Sequence, residues 1–278
     1  QFLSAILPVN YSTSSLYFLE RFLSKRVKSN CFLLNFYPEE WSAVRKFKEF
    51  HYSPPKHCKL FNRGLNAISD HLYKFQVLAE LASELSKGFE IEKKELDVNG
   101  YSKAKYSSQF AAVAECCINE LYASLDGMRD VIYSIYSTCK GVQKKSTSKL
   151  FEKAKKNEYG DKFPTIINDA LFEAHESWFF QLRKFRTEFT HGSLGSCSQN
   201  SENGQISYLH TGLGNQNKAL VIDDFIEFIN NTYSNVSRLQ HIIFEYLYKT
   251  LHLNPVVTLC GFYNGRAYSR LIFPESTL

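Results

Sequence analysis

FPTIINDALFEAHESWFFQLRKFRTEFTHG, residues 163–192, is the stretch whose periodicity decides the fold class. Ile167, Leu171, Ala174, Trp178, Leu182, Phe185 and Phe189 recur at alternating steps of four and three. That spacing puts them on one stripe of an α-helix, and the stripe must be buried against other helices. Pro164 suits a first helical position because it has no N–H to leave unpaired, and Gly192 can take the left-handed conformation that stops a helix. Arg186 and His191 fall in the last two turns.

The same spacing returns on both sides. Upstream, Ile68, Leu72, Phe75, Leu78, Ala82, Leu85 and Phe89 predict a helix from about residue 65, with the charged run 90–95 as its solvated end. Phe110, Ala114, Cys117, Leu121, Leu125, Met128, Ile132, Ile135 and Cys139 predict the longest helix, over residues 102–139. A helix that regular needs partners along its whole length, which means a bundle. Downstream, Ile226, Ile229, Tyr233, Val236, Ile243 and Leu247 form the core face of a helix capped by Asp223 or Asp224 and running to about residue 253. Shorter patterns predict helices over 11–28 and over 38–50, the second ended by Ser53-Pro54-Pro55. The segment 193–217 is rich in Gly, Ser and Asn, and two short strands are expected at 205–209 and 219–222. The C-terminal stretch reads as a hairpin around Asn264-Gly265, whose strands can join the earlier pair in one small sheet. The fold class is mainly all-α, a helical bundle with small β-hairpins. Asp97-Val98-Asn99-Gly100 breaks the pattern and divides an N-terminal helical region, residues 1–100, from the bundle, residues 101–278.

Composition bounds the chemistry. With 278 residues and 44% apolar content the chain can bury a full core, and its 23 Phe and 17 Tyr make that core aromatic. A net charge of +5, from 33 basic and 28 acidic residues, is compatible with a polyanionic partner without requiring one. Seven cysteines in scattered positions, with no C-x-x-C pair, point to free thiols in a reducing cytoplasm and away from a disulfide scaffold or a zinc knuckle. His51, His57 and Cys58 come nearest to a ligand set but read as incidental beside Pro54 and Pro55, so neither a metal nor another cofactor is expected. No apolar run approaches the ~20 residues that cross a bilayer. The segment Gln1-Phe-Leu-Ser-Ala-Ile-Leu-Pro8 lacks the basic region of a signal peptide.

One constellation carries chemistry: Arg186-Thr187-Glu188-Phe189-Thr190-His191, closed by Gly192. Cleaving RNA without a metal requires a base for the 2′-hydroxyl proton, an acid for the leaving 5′-oxygen and a cation for the charge building on phosphorus. Histidine can do either proton task near neutral pH, and arginine offers phosphate a planar fork. Taken alone, His191 can satisfy helix-end carbonyls and Arg186 can be a surface cation; with the family resemblance of the surrounding bundle they are the candidate catalytic residues, with Thr187, Glu188 and Thr190 as secondary substrate contacts. Glu188 can instead pair with Lys184. The most basic segment, Lys144-Lys145-Ser-Thr-Ser-Lys149, is a candidate contact for nucleic acid or simply a solvated loop. Arg45 and His51 have a similar spacing but lack the long flanking helices.

An arginine followed four to six residues later by histidine, at the end of a helix in an all-α bundle, resembles the HEPN superfamily. The resemblance covers residues 101–253: long helix, short helix, motif helix, connecting hairpin and closing helix, with the preceding residues as an addition. It implies a metal-independent endoribonuclease, a toxin or antiphage defence protein, that works as a homodimer whose paired motif helices share one cleft. It also implies an antitoxin or regulatory partner. The aromatic cluster Trp178-Phe179-Phe180 offers apolar area for such a dimer. Two departures stand out: Thr187 occupies the place where the family tends to carry Asn or Asp, and position 193 is Ser rather than Tyr. The alternative from another class is a non-catalytic helical module that binds RNA or a protein.

Overall fold

Two helix backbones approach closely enough to set the spacing of everything around them. The structure, a computed structural model, describes residues 57–200, 202–213 and 219–251, and the backbone of 256–263 and 266–272. The helices expected over 11–28 and 38–50, with Arg45 and His51, and the turn residues Asn264 and Gly265 lie outside the described residues. Helices α1 (Cys58–Ser86), α2 (Phe89–Asn99) and α3 (Lys105–Tyr136) come first. Helices α1 and α3 run antiparallel, as Arg63–Asp130 near one end and His71–Glu120 further along require. They cross at Gly64 and Gly127. A Cβ on Gly64 would lie 2.8 Å from the Gly127 carbonyl oxygen, and one on Gly127 would lie 2.7 Å from that of Gly64. Only glycine permits that approach. Around the crossing Leu65, Ile68, Leu72 and Phe75 meet Leu121, Leu125, Met128 and Ile132, all buried. Each such side chain contributes roughly 1.5–3 kcal/mol.

The turn at Asp97–Gly100 is a helix cap: Gly100 adopts φ +75° and its N–H donates to Leu96 O at 2.8 Å. Helices on both sides of it share one hydrophobic core. The charged run before it is largely exposed, but Glu92 has a task. Its Oε1 accepts the backbone N–H of Tyr106 and, at 3.1 Å, that of Ser107, so a carboxylate from α2 caps the N-terminus of α3.

Helix α4 (Thr147–Lys155) is started by Ser146, whose hydroxyl accepts from Lys149 N at 3.3 Å. It is tied to α3 by Thr147, which donates to Asp126 and accepts from Arg129 at 3.4 Å; within α3 that arginine also bridges Asp126 at 3.0 Å and the buried Asp130 at 2.7 Å. The 163–192 stretch is one rod in three pieces: α5 (Thr165–Ala174), a π-helical turn (His175–Phe179) and α6 (Phe180–His191). Ile167, Leu171, Ala174, Leu182 and Phe185 are buried as their spacing requires, and Phe189 is half-buried. Trp178 departs from the expected stripe. The wider turn inserts a residue, so Phe179, five positions after Ala174 and 1% exposed, takes the inward place and Trp178 is only partly covered. Gly192 departs too: it is extended (φ −100°, ψ −162°), not left-handed. Its lack of a side chain matters because a Cβ there would collide with the Glu188 carboxylate.

Strands β1 (Ser196–Gln199), β2 (Ile206–His210) and β3 (Leu220–Ile222) form an antiparallel sheet in that order. Ile206, Tyr208 and His210 point inward while Leu209, paired with Val221, faces out. Helix α7 (Phe225–Leu251) is opened by Asp224, which accepts Glu227 N at 2.9 Å. It closes the core by stacking Tyr233 on Phe75 at 4.8 Å and setting Phe228 at a tilt against Phe185 at 4.9 Å. Strands β4 (Val256–Tyr263) and β5 (Arg266–Ile272) pair antiparallel as a second, separate sheet, so the two hairpins do not merge. Side-chain alternation gave no register that could join them.

The glycine crossing is testable. Gly127→Leu should lower the unfolding free energy by about 3 kcal/mol through overpacking. Gly100→Ala, with open space around it, should lower it by only ~1 kcal/mol through its positive φ. Urea titration measures both, and equal losses would locate the cost in backbone conformation rather than in helix approach.

Candidate functional site

Arg186 and His191 are five residues apart on α6. Helical geometry therefore separates them by roughly 7.5 Å along the axis and about 140° around it. No hydrogen bond joins the two side chains, and His191 is exposed on the last residue of the helix. Among the described residues neither the Arg186 guanidinium nor the His191 imidazole has a hydrogen-bond or ion-pair partner.

Arg186 has a seat nonetheless. Its guanidinium carbon lies 5.3 Å from the centre of the Tyr122 ring, a cation–π arrangement between α6 and α3. Tyr122 is only 8% exposed and stacks on Phe179 of the π turn at 6.1 Å. Phe179 in turn stacks face to face on Phe151 of α4, 3.7 Å between centres. Burial and the Asp126 charge raise the Tyr122 phenol pKa, while Arg186, Arg183 and Arg129 oppose the shift, so the ring is neutral at ordinary pH.

One turn before Arg186, Arg183 donates to Glu152 Oε1 at 2.9 Å, and Lys149 reaches the other oxygen of that carboxylate at 2.7 Å. The structure thus brings Lys149 to the motif helix through α4. Lys144 and Lys145 stay exposed in the loop leading into α4, and among the described residues no hydrogen bond or ion pair connects them to α6. Thr187 and Thr190 point their hydroxyl protons back along the helix, to Arg183 O at 2.9 Å and Arg186 O at 2.7 Å. Their oxygens remain acceptors, which suits water or a sugar hydroxyl better than a phosphate. Glu188 is half-buried between Gly192 and Gly212, where a Cβ on either glycine would collide with its carboxylate. It lines a shallow cleft of about 290 Å³ with Phe180, Arg183, Lys184, Thr187 and Leu213, and Lys184 Nζ donates to Leu213 O at 2.6 Å.

The segment after the motif is fixed by a residue the sequence reading passed over. Glu115, on α3 and 6% exposed, accepts Gly195 N at 2.8 Å and the Tyr208 hydroxyl at 2.7 Å. Burial, followed by that hydrogen bond and the carboxylate charge, drives the Tyr208 phenol pKa far up. Beside it His210 is held by both ring nitrogens: Nε2 meets Ser193 O at 2.6 Å and Nδ1 accepts Gly212 N–H at 3.0 Å. A signal for Glu115 existed, since a carboxylate sits on the face of α3 that carries Ala111, Ile118 and Tyr122. Nothing in the sequence marks Tyr122 among the other core aromatics. The expected aromatic interface also shrinks, because of Trp178, Phe179 and Phe180 only Phe180 is exposed, at 65%.

Among the described residues no three His, Cys, Asp or Glu side chains converge as a metal ion would need, and no helix is long and apolar enough to cross a membrane. The Glu152 link yields a pH prediction. The Lys149 hydrogen bond first, then the Lys149 and Arg183 charges, hold the Glu152 pKa below the usual carboxylate value, with partial burial pulling the other way. Because folding lowers this pKa, the link adds stability above the unfolded value of about 4.3 and loses it as pH falls through the lower folded value. Urea midpoints of wild type and Glu152→Gln should therefore differ at neutral pH and converge as the pH falls through the lowered folded value; a gap independent of pH would remove the ionic account. No protein-family model, curated protein or solved structure matches the chain.

Proposed function

We propose that the chain is a HEPN-type, metal-independent endoribonuclease, acting as a toxin or antiphage defence protein, that cleaves RNA by 2′-hydroxyl attack in a composite site shared by two copies. The observation that carries this reading is the state of Arg186: a cation held on an aromatic ring, with no ion-paired carboxylate among the described residues, five residues before an exposed histidine that also has no such partner there. An arginine so seated is prepared for a phosphodiester, whose charge grows as the 2′-oxygen attacks. His191 can exchange protons with the 2′-hydroxyl or the 5′-oxygen at neutral pH. Free thiols at Cys116, Cys117, Cys139 and Cys197 suit a reducing cytoplasm, and a toxin of this kind needs a restraining antitoxin or regulatory protein.

The divergence of the two side chains supports a dimer, since one copy cannot supply an acid and a base to the same phosphate. The same divergence favours a second reading, a non-catalytic RNA-binding module in which Lys149, Arg183 and Arg186 contact phosphates along one side.

Two measurements separate the readings. Purified protein should cut single-stranded RNA in the presence of EDTA and leave 2′,3′-cyclic phosphate ends. His191→Ala should slow cleavage by ~10²–10⁴ and Arg186→Ala by ~10²–10³, while His51→Ala leaves the rate unchanged. Binding that survives with no cleavage in wild type would establish the module instead. Light scattering at micromolar concentration should give a homodimer mass, and a strictly monomeric protein that still cleaves RNA would refute the composite site.

A further inference from the structure

We propose that Tyr122 is the positioning residue of the site: its ring, held by the Phe151–Phe179 stack, carries the Arg186 guanidinium and presents its N–H groups to a backbone phosphate of single-stranded RNA. The inference rests on the nuclease reading for its consequence but on independent geometry for its cause. Four groups from four elements stand in one column. Phe151 of α4 lies 3.7 Å from Phe179 of the π turn with planes 7° apart, Phe179 lies 6.1 Å from Tyr122 of α3, and Tyr122 lies 5.3 Å from the Arg186 guanidinium carbon of α6.

The column exists because of the π turn. A regular helix through His175–Phe179 would keep the inward position at Trp178 and turn Phe179 away from Phe151. The extra residue in that turn delivers the buried Phe179 ring to Tyr122, and Arg186, further along the same rod, reaches the same ring.

Among the described residues, Arg186 is the one of three nearby arginines with no carboxylate partner. Arg129 is committed to Asp126 and Asp130, and Arg183 to Glu152. A ring face attracts a cation without consuming its hydrogen-bond donors, whereas a carboxylate partner would occupy the donors that phosphate needs. A tyrosine under an unpaired arginine therefore fixes the side chain and leaves its fork free. Arginine on a mobile stem would lose that preorganisation on binding.

The test is a double-mutant cycle read on a short single-stranded RNA with 2′-O-methyl groups, which binds but offers no attacking hydroxyl. Arg186→Ala and Tyr122→Leu should each weaken binding by about threefold to tenfold, the range of one cation–π contact or phosphate contact. Arg186→Ala added to Tyr122→Leu should cost little more. Tyr122→Phe keeps the ring and should restore affinity and, on unmodified RNA, cleavage. In the folded wild type the Arg186 Nε–H proton, assigned by its loss in Arg186→Lys, should resonate upfield of exposed arginines because it lies over a ring. That readout stands even if Tyr122→Leu fails to fold. Additive losses in the cycle, or an unshifted Arg186 resonance, overturn the inference while leaving wild-type cleavage as evidence for the nuclease. Wild-type protein that binds RNA without cutting it sinks the nuclease reading and leaves Tyr122 to be judged on affinity alone. A wild type that does neither overturns both.

Discussion

The contact of Gly64 with Gly127 sets the helix spacing on which the rest of the structure depends. With no side chain at either position, α1 and α3 approach until each glycine carbonyl fills the place a Cβ would take on the other. That closeness lets their neighbouring Leu, Ile and Phe side chains interdigitate on both sides of the crossing, where area removed from water stabilises the pair. Once α1 is docked, two further faces of α3 remain, one carrying Glu115, Tyr122 and Asp126 in line and the opposite one carrying Ser124. Tyr122 meets the π turn, Asp126 meets the start of α4, Glu115 meets the sheet, and Ser124 receives a hydrogen bond from Gln240 of α7 at 3.0 Å. A helix covered on nearly every side is a central mast, and α3 is roughly 48 Å long by its helical rise.

The polar groups buried on that mast decide which element docks where. Apolar faces of similar size can slide by a turn at small cost, whereas a buried carboxylate that loses its donors costs about 1–3 kcal/mol or more. Glu115 accepts from Gly195 and Tyr208 only when β1 and β2 sit in their observed register on α3. Asp130, 3% exposed, is satisfied by Arg129 and Arg63 together, which ties α1 in sequence register to α3 at the end beyond the glycine crossing. These groups act as keys within a core that hydrophobicity alone would leave less specific.

Where a residue's role follows from local spacing, it was legible in the sequence. The four-three stripe found the buried faces of α1, α3 and α7, and Asp224 was among the caps expected for α7. The failures share a cause, which is that their reasons lie outside the local pattern. Trp178 and Phe179 are adjacent and equally apolar, so only the π turn, stabilised by the Phe151 stack, decides which turns inward. Gly192 reads as a left-handed stop, yet its use is clearance for Glu188. Strand β1, Ser196-Cys197-Ser198-Gln199, has no apolar alternation and exists because β2 offers it an edge. For the site, the motif residues could be named from spacing, but Tyr122 could not, because it touches Arg186 across a sequence distance that no periodicity encodes.

The same geometry limits what a shared cleft can look like. If two copies met at the exposed Phe180, the middle of the rod, a twofold axis there would leave their His191 residues roughly 33 Å apart by helical rise. No phosphodiester spans that gap. For one copy's Arg186 and the other's His191 to act on a single phosphate, the axis must pass beside the last turn of α6, where Ser193 to Gly195 leave the helix and Glu115 anchors them. The Glu115–Tyr208 clamp holds the chain beside that turn. By holding the chain after His191 against α3, it fixes the segment beside which the proposed second copy would have to dock.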